Sequence, residues 1–323
     1  MLEWRLMIDL DAIRRASAAI DRYVMRTPLR VSPYYSEKTG FDVNLKLENW
    51  QPTGSFKIRG ALNLVHSLPV TEQLQGLVAW SAGNHALGVA YAAAVFDIPA
   101  TIFVPRKTPR TKLDKLRYYP VRVEYGDTYE HCEKLGRQHA AQSNAHIVHP
   151  YDDWRVVAGQ GTVGLELYEA MPELDAVVVP VGGGGLISGI AIALKSLDAD
   201  IRVIAVQSSA SPSLQKSLQD QKCYEEFPVE YSIAEGLAGG IGKIVYELAP
   251  RWIDEIVNVE EEFIPPVIGQ LLRYEQKVVE ASAAICLAAL PRIECVPRGS
   301  RIAVVISGGN LDLNLMRDVL QAL

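Results

Sequence analysis

Cysteine is scarce and unpaired in pattern. Cys132, Cys223, Cys286 and Cys295 are widely spaced with no CxxC, which excludes a disulfide framework or a zinc cluster and implies a reducing, cytoplasmic setting. Basic excess is also missing. With 32 Lys+Arg against 38 Asp+Glu, the formal charge of −6 offers no field for nucleic acid, so small molecules are the better ligands. No apolar signal core opens the chain, since MLEWRLMIDLDAIRRA interrupts its short apolar stretches with charges. No proline- or serine-rich linker divides it, and no internal repeat is visible. At 49% hydrophobic and 22% charged it is an ordinary globular composition, which excludes disorder, collagen and coiled coil. One long uncharged run remains, the nineteen residues 176–194. That could cross a bilayer, but a proline followed by consecutive glycines would break a lipid-exposed helix. A buried strand, a glycine turn and a buried helix are expected instead.

What is present is alternation. Residues 9–24 carry Leu10, Ile13, Ala16, Ala19 and Ile20 at helical spacing, closed by Thr27-Pro28. Short apolar runs follow, each trailed by turn residues and a helical pattern: NLKLE (44–48), GLVAW (76–80), ATIFV (100–104), VRVEY (121–125), AHIVH (145–149), AVVVPV (176–181), RVIAV (202–206) and RIAVVI (301–306). Strands alternating with helices imply βαβ units, and their continuous apolarity fits parallel strands buried on both faces. Length allows about two domains. Residues 53–150 hold four of the strands, which predicts a small sheet domain inserted in a larger one made of 1–52 and 151–323, each an open, twisted, mainly parallel α/β sheet.

In such sheets ligands collect where strands end in loops and helix N-termini. Three junctions stand out: Ser81-Ala82-Gly83-Asn84-His85, Gly182-Gly183-Gly184-Gly185-Leu186 and Ser307-Gly308-Gly309-Asn310. The four glycines, opening a helix over 186–197, can wrap a phosphate with backbone N–H groups, or be a tight turn under a crowded helix. No register of 182–189 gives GxGxxG, and GK[ST] is missing, so neither a dinucleotide nor a P-loop fold is indicated. In PTGSFKIRGA, Gly54-Ser55 reads as a helix start. That places Lys57 near unpaired N–H groups and the positive end of the dipole, with Phe56 and Ile58 beside it, where its pKa falls toward a nucleophilic amine.

Lys57 in SFKIRGA, the SAGNH loop, GGGGL and the late SGGN, in this order, resemble the fold-type-II pyridoxal-phosphate enzymes (tryptophan synthase beta-like), and among them the threonine/serine dehydratase and serine racemase group. The resemblance runs from Arg26-Thr-Pro-Leu to SGGNLD. It implies pyridoxal 5'-phosphate bound in the larger domain, Lys57 as Schiff-base lysine and base for the α-proton, and Phe56 packed on the cofactor ring. It further implies Asn84 at the phenolic oxygen, Gly182, Gly183, Gly184, Gly185 and the Leu186 N–H around the phosphate, and Ser307 at the pyridine nitrogen, where a hydroxyl makes the ring a weaker electron sink and favours loss of a β-leaving group. Ser81, Ala82, Gly83, Asn84 and His85 would grip the substrate carboxylate, His85 in a structural role. Glu280 in EASAA either lies near the ring or is a polar residue capping a buried helix.

Two departures sharpen the choice within that group. Racemases of the group use a serine where this chain has Ala82, and a methyl delivers no proton, so dehydration is favoured. Relatives with a divalent cation carry acids just after the strand matching RVIAV; Gln207-Ser-Ser-Ala-Ser-Pro-Ser213 has none, so the site is expected to be empty or to hold a monovalent ion. Glu235 stands where aspartate is common. The chain also ends soon after SGGN, leaving no room for a regulatory domain. The resulting expectation is a pyridoxal-phosphate lyase (EC 4.3.1.-) that converts L-threonine or L-serine to a 2-oxo acid and ammonia. It would be a homo-oligomer with no membrane or nucleic-acid partner. The alternatives are serine racemisation, a bulkier substrate such as phenylserine or hydroxyaspartate, or a non-catalytic anion-binding α/β protein.

Overall fold

The structure, a computed structural model, describes residues 8–108, 110–229 and 231–322. Asp9 caps the first helix: its carboxylate accepts the Ala12 N–H at 2.7 Å, and α1 (Leu10–Ile20) buries Ala12, Ile13, Ala16 and Ile20 along one stripe. Next come β1 (Leu29–Val31), α2 (Pro33–Thr39), β2 (Asp42–Lys46), α3 (Lys57–Ser67) and α4 (Val70–Gln73). The chain then alternates through β3 (Leu77–Trp80), α5 (Asn84–Phe96), β4 (Ala100–Pro105), α6 (Arg110–Leu116), β5 (Arg122–Gly126), α7 (Tyr129–Ser143) and β6 (His146–Ile147). The remainder is α8 (Trp154–Ala170), β7 (Ala176–Pro180), α9 (Gly185–Leu197), β8 (Arg202–Ser208), α10 (Ser213–Gln219), α11 (Lys243–Trp252), β9 (Glu255–Val259), α12 (Ile264–Glu275), α13 (Ala281–Ala289), β10 (Arg301–Val305) and α14 (Leu313–Gln321).

Two sheets result. One has the order β1-β2-β10-β7-β8-β9, the other β5-β4-β3-β6. Every pairing is parallel except β1 with β2. All eight apolar runs are strands, and the run 176–194 is the buried strand, turn and helix expected of it. Among the described residues no helix is long and apolar enough to cross a membrane. The sequence reading missed both edge strands of the larger sheet. β1 has three residues, two of them exposed, and in β9 Glu255 and Asn258 leave only the pair Ile256-Val257 and the lone Val259, so neither shows a continuous apolar run.

Close helix packing fixes the relative positions of the functional loops. A Cβ on Gly159 of α8 would lie 2.5 Å from the Arg59 carbonyl of α3, and one on Gly189 of α9 would lie 2.3 Å from the Val157 carbonyl of α8. Glycine therefore lets α3, α8 and α9 touch backbone to backbone. Lys57 opens α3 and Gly185 opens α9, so this contact sets the distance between the lysine and the glycine turn.

Candidate active site

Lys57 lies in the first turn of α3 and is half-buried. Its ammonium donates to the Pro150 carbonyl at 2.8 Å and stands 5.2 Å from the centre of the Phe56 ring. Burial pushes its pKa down to about 8, with the Glu280 carboxylate pulling the other way. Roughly a tenth of the side chain is then neutral amine at pH 7. The depression expected from the helix end is thus present, but desolvation is its main cause. The helix begins at Lys57 and not at Gly54-Ser55, because Gly54 turns with φ +76° and Ser55 is held in a bridge to Gly308.

The loop after β6 connects Lys57 to the glycine turn. The Pro150 carbonyl accepts from Lys57, and the next residue, Tyr151, packs its ring over Gly183, where a Cβ would fall 2.2 Å away. Gly184 has φ +90°, and a Cβ there would meet Val245 at 2.3 Å. The neighbours therefore crowd the turn, and only glycine fits at these two positions. The first bond within α9 is donated by Ser188 to the Gly184 carbonyl, so the N–H groups before it, Leu186 included, have no partner inside the helix.

The late glycine loop closes the other side. Phe56 N–H donates to the Ser307 carbonyl at 3.1 Å, and Gly309 N–H to the Gly54 carbonyl at 2.9 Å. Ser307 is buried, and the buried Ser55 hydroxyl has no hydrogen-bond partner in the protein. Asn84, at the start of α5, donates from Nδ2 to Glu280 Oε1 at 2.7 Å. Gly308 makes that contact possible, since a Cβ on it would lie 2.3 Å from the same oxygen. Glu280 precedes α13 without a side-chain capping bond, and its carboxylate is turned to Asn84.

Ser81, Ala82 and Gly83 line the approach to α5. The Ser81 hydroxyl accepts the Gly83 N–H at 3.2 Å, and no atom would lie within 4 Å of a Cβ on Gly83, which leaves room for a ligand at the helix N-terminus. His85 points away from that space. It is buried and donates from Nε2 to the Val148 carbonyl at 2.8 Å, and burial together with the Lys57 charge pushes its pKa down to about 3. The imidazole is therefore neutral across the physiological range, with Nε2 committed to a carbonyl.

Gln207 is buried at the end of β8. Its Oε1 accepts the N–H groups of Leu214 and Gln215 at 3.1 Å, while Nε2 faces the Ser211 carbonyl and the Ser213 hydroxyl at 3.4 Å. Among the described residues no group of His, Cys, Asp or Glu is placed to hold a metal ion. Glu235 is exposed in the short turn beside the Gly182 backbone. Sequence reasoning did not single out Pro150 or Tyr151, and it took Asn310 only as the last residue of the SGGN loop. HPYDD follows the strand AHIVH, so the same strand-end rule that singled out the other loops could have found the first two.

The pyridoxal-phosphate dependent enzyme family matches residues 20–308. L-threonine ammonia-lyase of Thermotoga maritima is 42% identical over 96% of this chain and 77% of its own length, and the enzyme of that name from Geobacter sulfurreducens is 38% identical over 98% and 79%. Among solved structures, maize serine racemase superposes with a TM-score of 0.90 at 33% identity, covering 97% of each chain. The serine racemase of Dictyostelium discoideum does so with a TM-score of 0.87 at 33% identity, covering 95% of this chain and 99% of its own. The donor set agrees with that cofactor, because a desolvated amine suits its aldehyde and the N–H groups of a glycine turn suit its phosphate. The chain belongs to the pyridoxal-phosphate dependent enzymes of fold type II.

Proposed function

We propose that this chain is a pyridoxal-phosphate dependent ammonia-lyase that dehydrates L-threonine and L-serine, giving 2-oxobutanoate or pyruvate and ammonia. The observation that carries the reading is the half-buried Lys57 amine, with its pKa near 8, at the point where the loops 81–85, 182–185 and 307–310 are held together. Residues 1–52 and 151–323 form the cofactor-binding domain and 53–150 the inserted one.

When bound, the cofactor captures amino groups through its aldehyde, and its ring delocalises the electron pair left at the α-carbon. Lys57 would hold the cofactor and, once displaced by the substrate's amino group, would accept the α-proton at Nζ, a role that a pKa near 8 permits at neutral pH. Gly182 to Gly185 and the Leu186 N–H would take the phosphate, Phe56 one face of the ring, Ser307 its nitrogen and Asn84 its phenolic oxygen, with Glu280 beside Asn84. The N-terminus of α5, with Ser81, Gly83 and Asn84 around it, would take the substrate carboxylate, His85 bracing the loop through its bond to the Val148 carbonyl. The α-proton held at Nζ and the β-hydroxyl together leave as one water, and hydrolysis of the released enamine gives the 2-oxo acid and ammonia. With Gln207 bonded internally where an acidic ligand would be needed, the enzyme requires no divalent metal. The expected result is 2-oxo acid formed from L-threonine and L-serine at a rate unchanged by chelator. Silence with both substrates in protein carrying cofactor would sink the substrate assignment, and a chelator-sensitive rate the metal assignment.

Serine racemisation is the rival that the similarity to serine racemases of rice keeps open. Ala82 argues against it, since a methyl cannot return a proton to the second face of the substrate. Ala82→Ser should therefore raise D-serine formation from L-serine at least several-fold while 2-oxo acid formation persists. An unchanged or already substantial D-serine yield in the parent protein would remove the argument. Four free cysteines agree with the reducing cytoplasm, and we place the protein there as a homodimer or larger homo-oligomer, to be checked by sedimentation.

A further inference from the structure

Four polar side chains form an ordered chain across the site, from Lys115 on α6 through Asn310 and Asn84 to Glu280. Asn310 donates from Nδ2 to Asn84 Oδ1 at 2.7 Å and to the Thr53 carbonyl at 2.9 Å, and its Oδ1 accepts from the Lys115 ammonium. Asn84 then donates from Nδ2 to Glu280 Oε1 at 2.7 Å. Each amide is fixed by a partner with only one possible role. The Thr53 carbonyl can only accept, so it selects the NH2 side of Asn310, and Lys115 can only donate, so it selects the oxygen. A carboxylate likewise selects the NH2 side of Asn84. The left-handed Gly54 leaves the space this amide occupies, since a Cβ there would lie 2.8 Å from Asn310 Oδ1.

We propose that Asn310 is a positioning residue that holds the Asn84 amide in one of its two flip states, NH2 toward the cofactor, with Lys115 clamping Asn310 from the four-stranded sheet's side. This rests on the reading that Asn84 faces the cofactor's phenolic oxygen. That oxygen is electron-rich and needs a donor. Rotating the Asn84 amide by half a turn would aim its carbonyl at both the phenolic oxygen and the Glu280 carboxylate, two repulsive contacts in place of two hydrogen bonds. Only an amide at position 310 donates to Asn84 and the Thr53 carbonyl while accepting from Lys115. An aspartate of the same shape can only accept, so it would face the Asn84 and Thr53 carbonyls without a donor and compete with Glu280 for the Asn84 NH2.

The test titrates purified apoprotein with pyridoxal 5'-phosphate and follows both the dissociation constant and the position of the visible band. Asn84→Ala and Asn310→Asp are each expected to weaken binding about tenfold and to shift the band, with Asn310→Ala milder at about threefold. In the Asn84→Ala background, Asn310→Asp should add less than about twofold, because its effect passes through Asn84. Wild-type binding and spectrum in Asn310→Asp, or losses that multiply in the double variant, would overturn the proposal while leaving Asn84 at the cofactor. Unaltered binding in Asn84→Ala would instead overturn the placement of Asn84, and this inference with it. Should Asn310→Asp fail to fold, Asn310→Ala and Lys115→Met complete the same cycle.

Discussion

Lys57→Ala is expected to give a folded protein that binds amino acid without turning it over, with 2-oxo acid formation reduced by about 10³-fold or more. The size follows from one amine performing two tasks, holding the cofactor and accepting the α-proton. Retention of the fold follows from its position, since Lys57 opens a helix whose apolar contacts come from Ile58, Ala61, Leu62, Leu64 and Val65. Lys57→Arg keeps the charge and loses the nucleophile. It should be equally inactive, which separates the two contributions. Absorbance above roughly 400 nm, which aldehyde capture by the lysine produces, should vanish in both variants. In the parent protein the rate of cofactor uptake should climb as pH rises through about 8, because the neutral amine is the reactive form and burial lowers the pKa to that value. Turnover within tenfold of the parent in Lys57→Ala would place the chemistry elsewhere, and a flat uptake profile between pH 7 and 9 would remove the desolvated amine from the account.

The features that sequence made legible share one physical property, local repetition. Val177, Val178 and Val179 of β7 are all buried because the strand is covered on both faces, so the run is visible without any partner. Glycine turns are equally visible, since consecutive glycines are rarely accidental. What stayed hidden depends on contacts far apart in sequence. Lys57 could be placed near a helix start, but its desolvation is produced by a fold that brings Pro150 and Glu280 to it. Asn310 reads as a loop residue until Thr53, Asn84 and Lys115 arrange around it. Arg59 is the clearest instance. Arginine is a residue type mostly found exposed, yet this one, two positions after Lys57, is completely buried.

Arg59→Leu should lower stability by about 3–5 kcal/mol at neutral pH, a loss that shrinks on acidification. Arg59 donates to both Glu48 oxygens, from Nε at 2.7 Å and Nη2 at 2.8 Å, and to Glu166 at 2.6 and 3.0 Å. It also donates to the Thr162 hydroxyl at 3.0 Å and the Met25 carbonyl at 3.3 Å. Lys46, buried too, adds a bond to Glu166 and one to the Thr27 carbonyl at 2.7 Å. Two cations thus face two carboxylates with no solvent between Arg59 and Glu48. Burial alone would raise the Glu48 carboxyl; the Arg59 guanidinium, with help from Lys46 and Thr27, holds it below the ordinary glutamate range. A carboxyl whose folded pKa is depressed contributes stability above its unfolded pKa and loses it as pH falls through the folded one. In Arg59→Leu the same carboxyl is buried against apolar carbon, so its folded pKa rises above the unfolded value and protonation becomes the relief. Parent and variant therefore approach each other in stability from pH 7 to pH 5, which chemical unfolding at the two pH values measures. A difference under about 1 kcal/mol at pH 7, or one that is the same at pH 5, would mean that the cluster does not act as a compensated ionic unit. The consequence reaches the active site through α3. Arg59 anchors the first turn of that helix to Glu48 just after β2, to α8 and to the segment at Met25, and the residue one half-turn before it is Lys57.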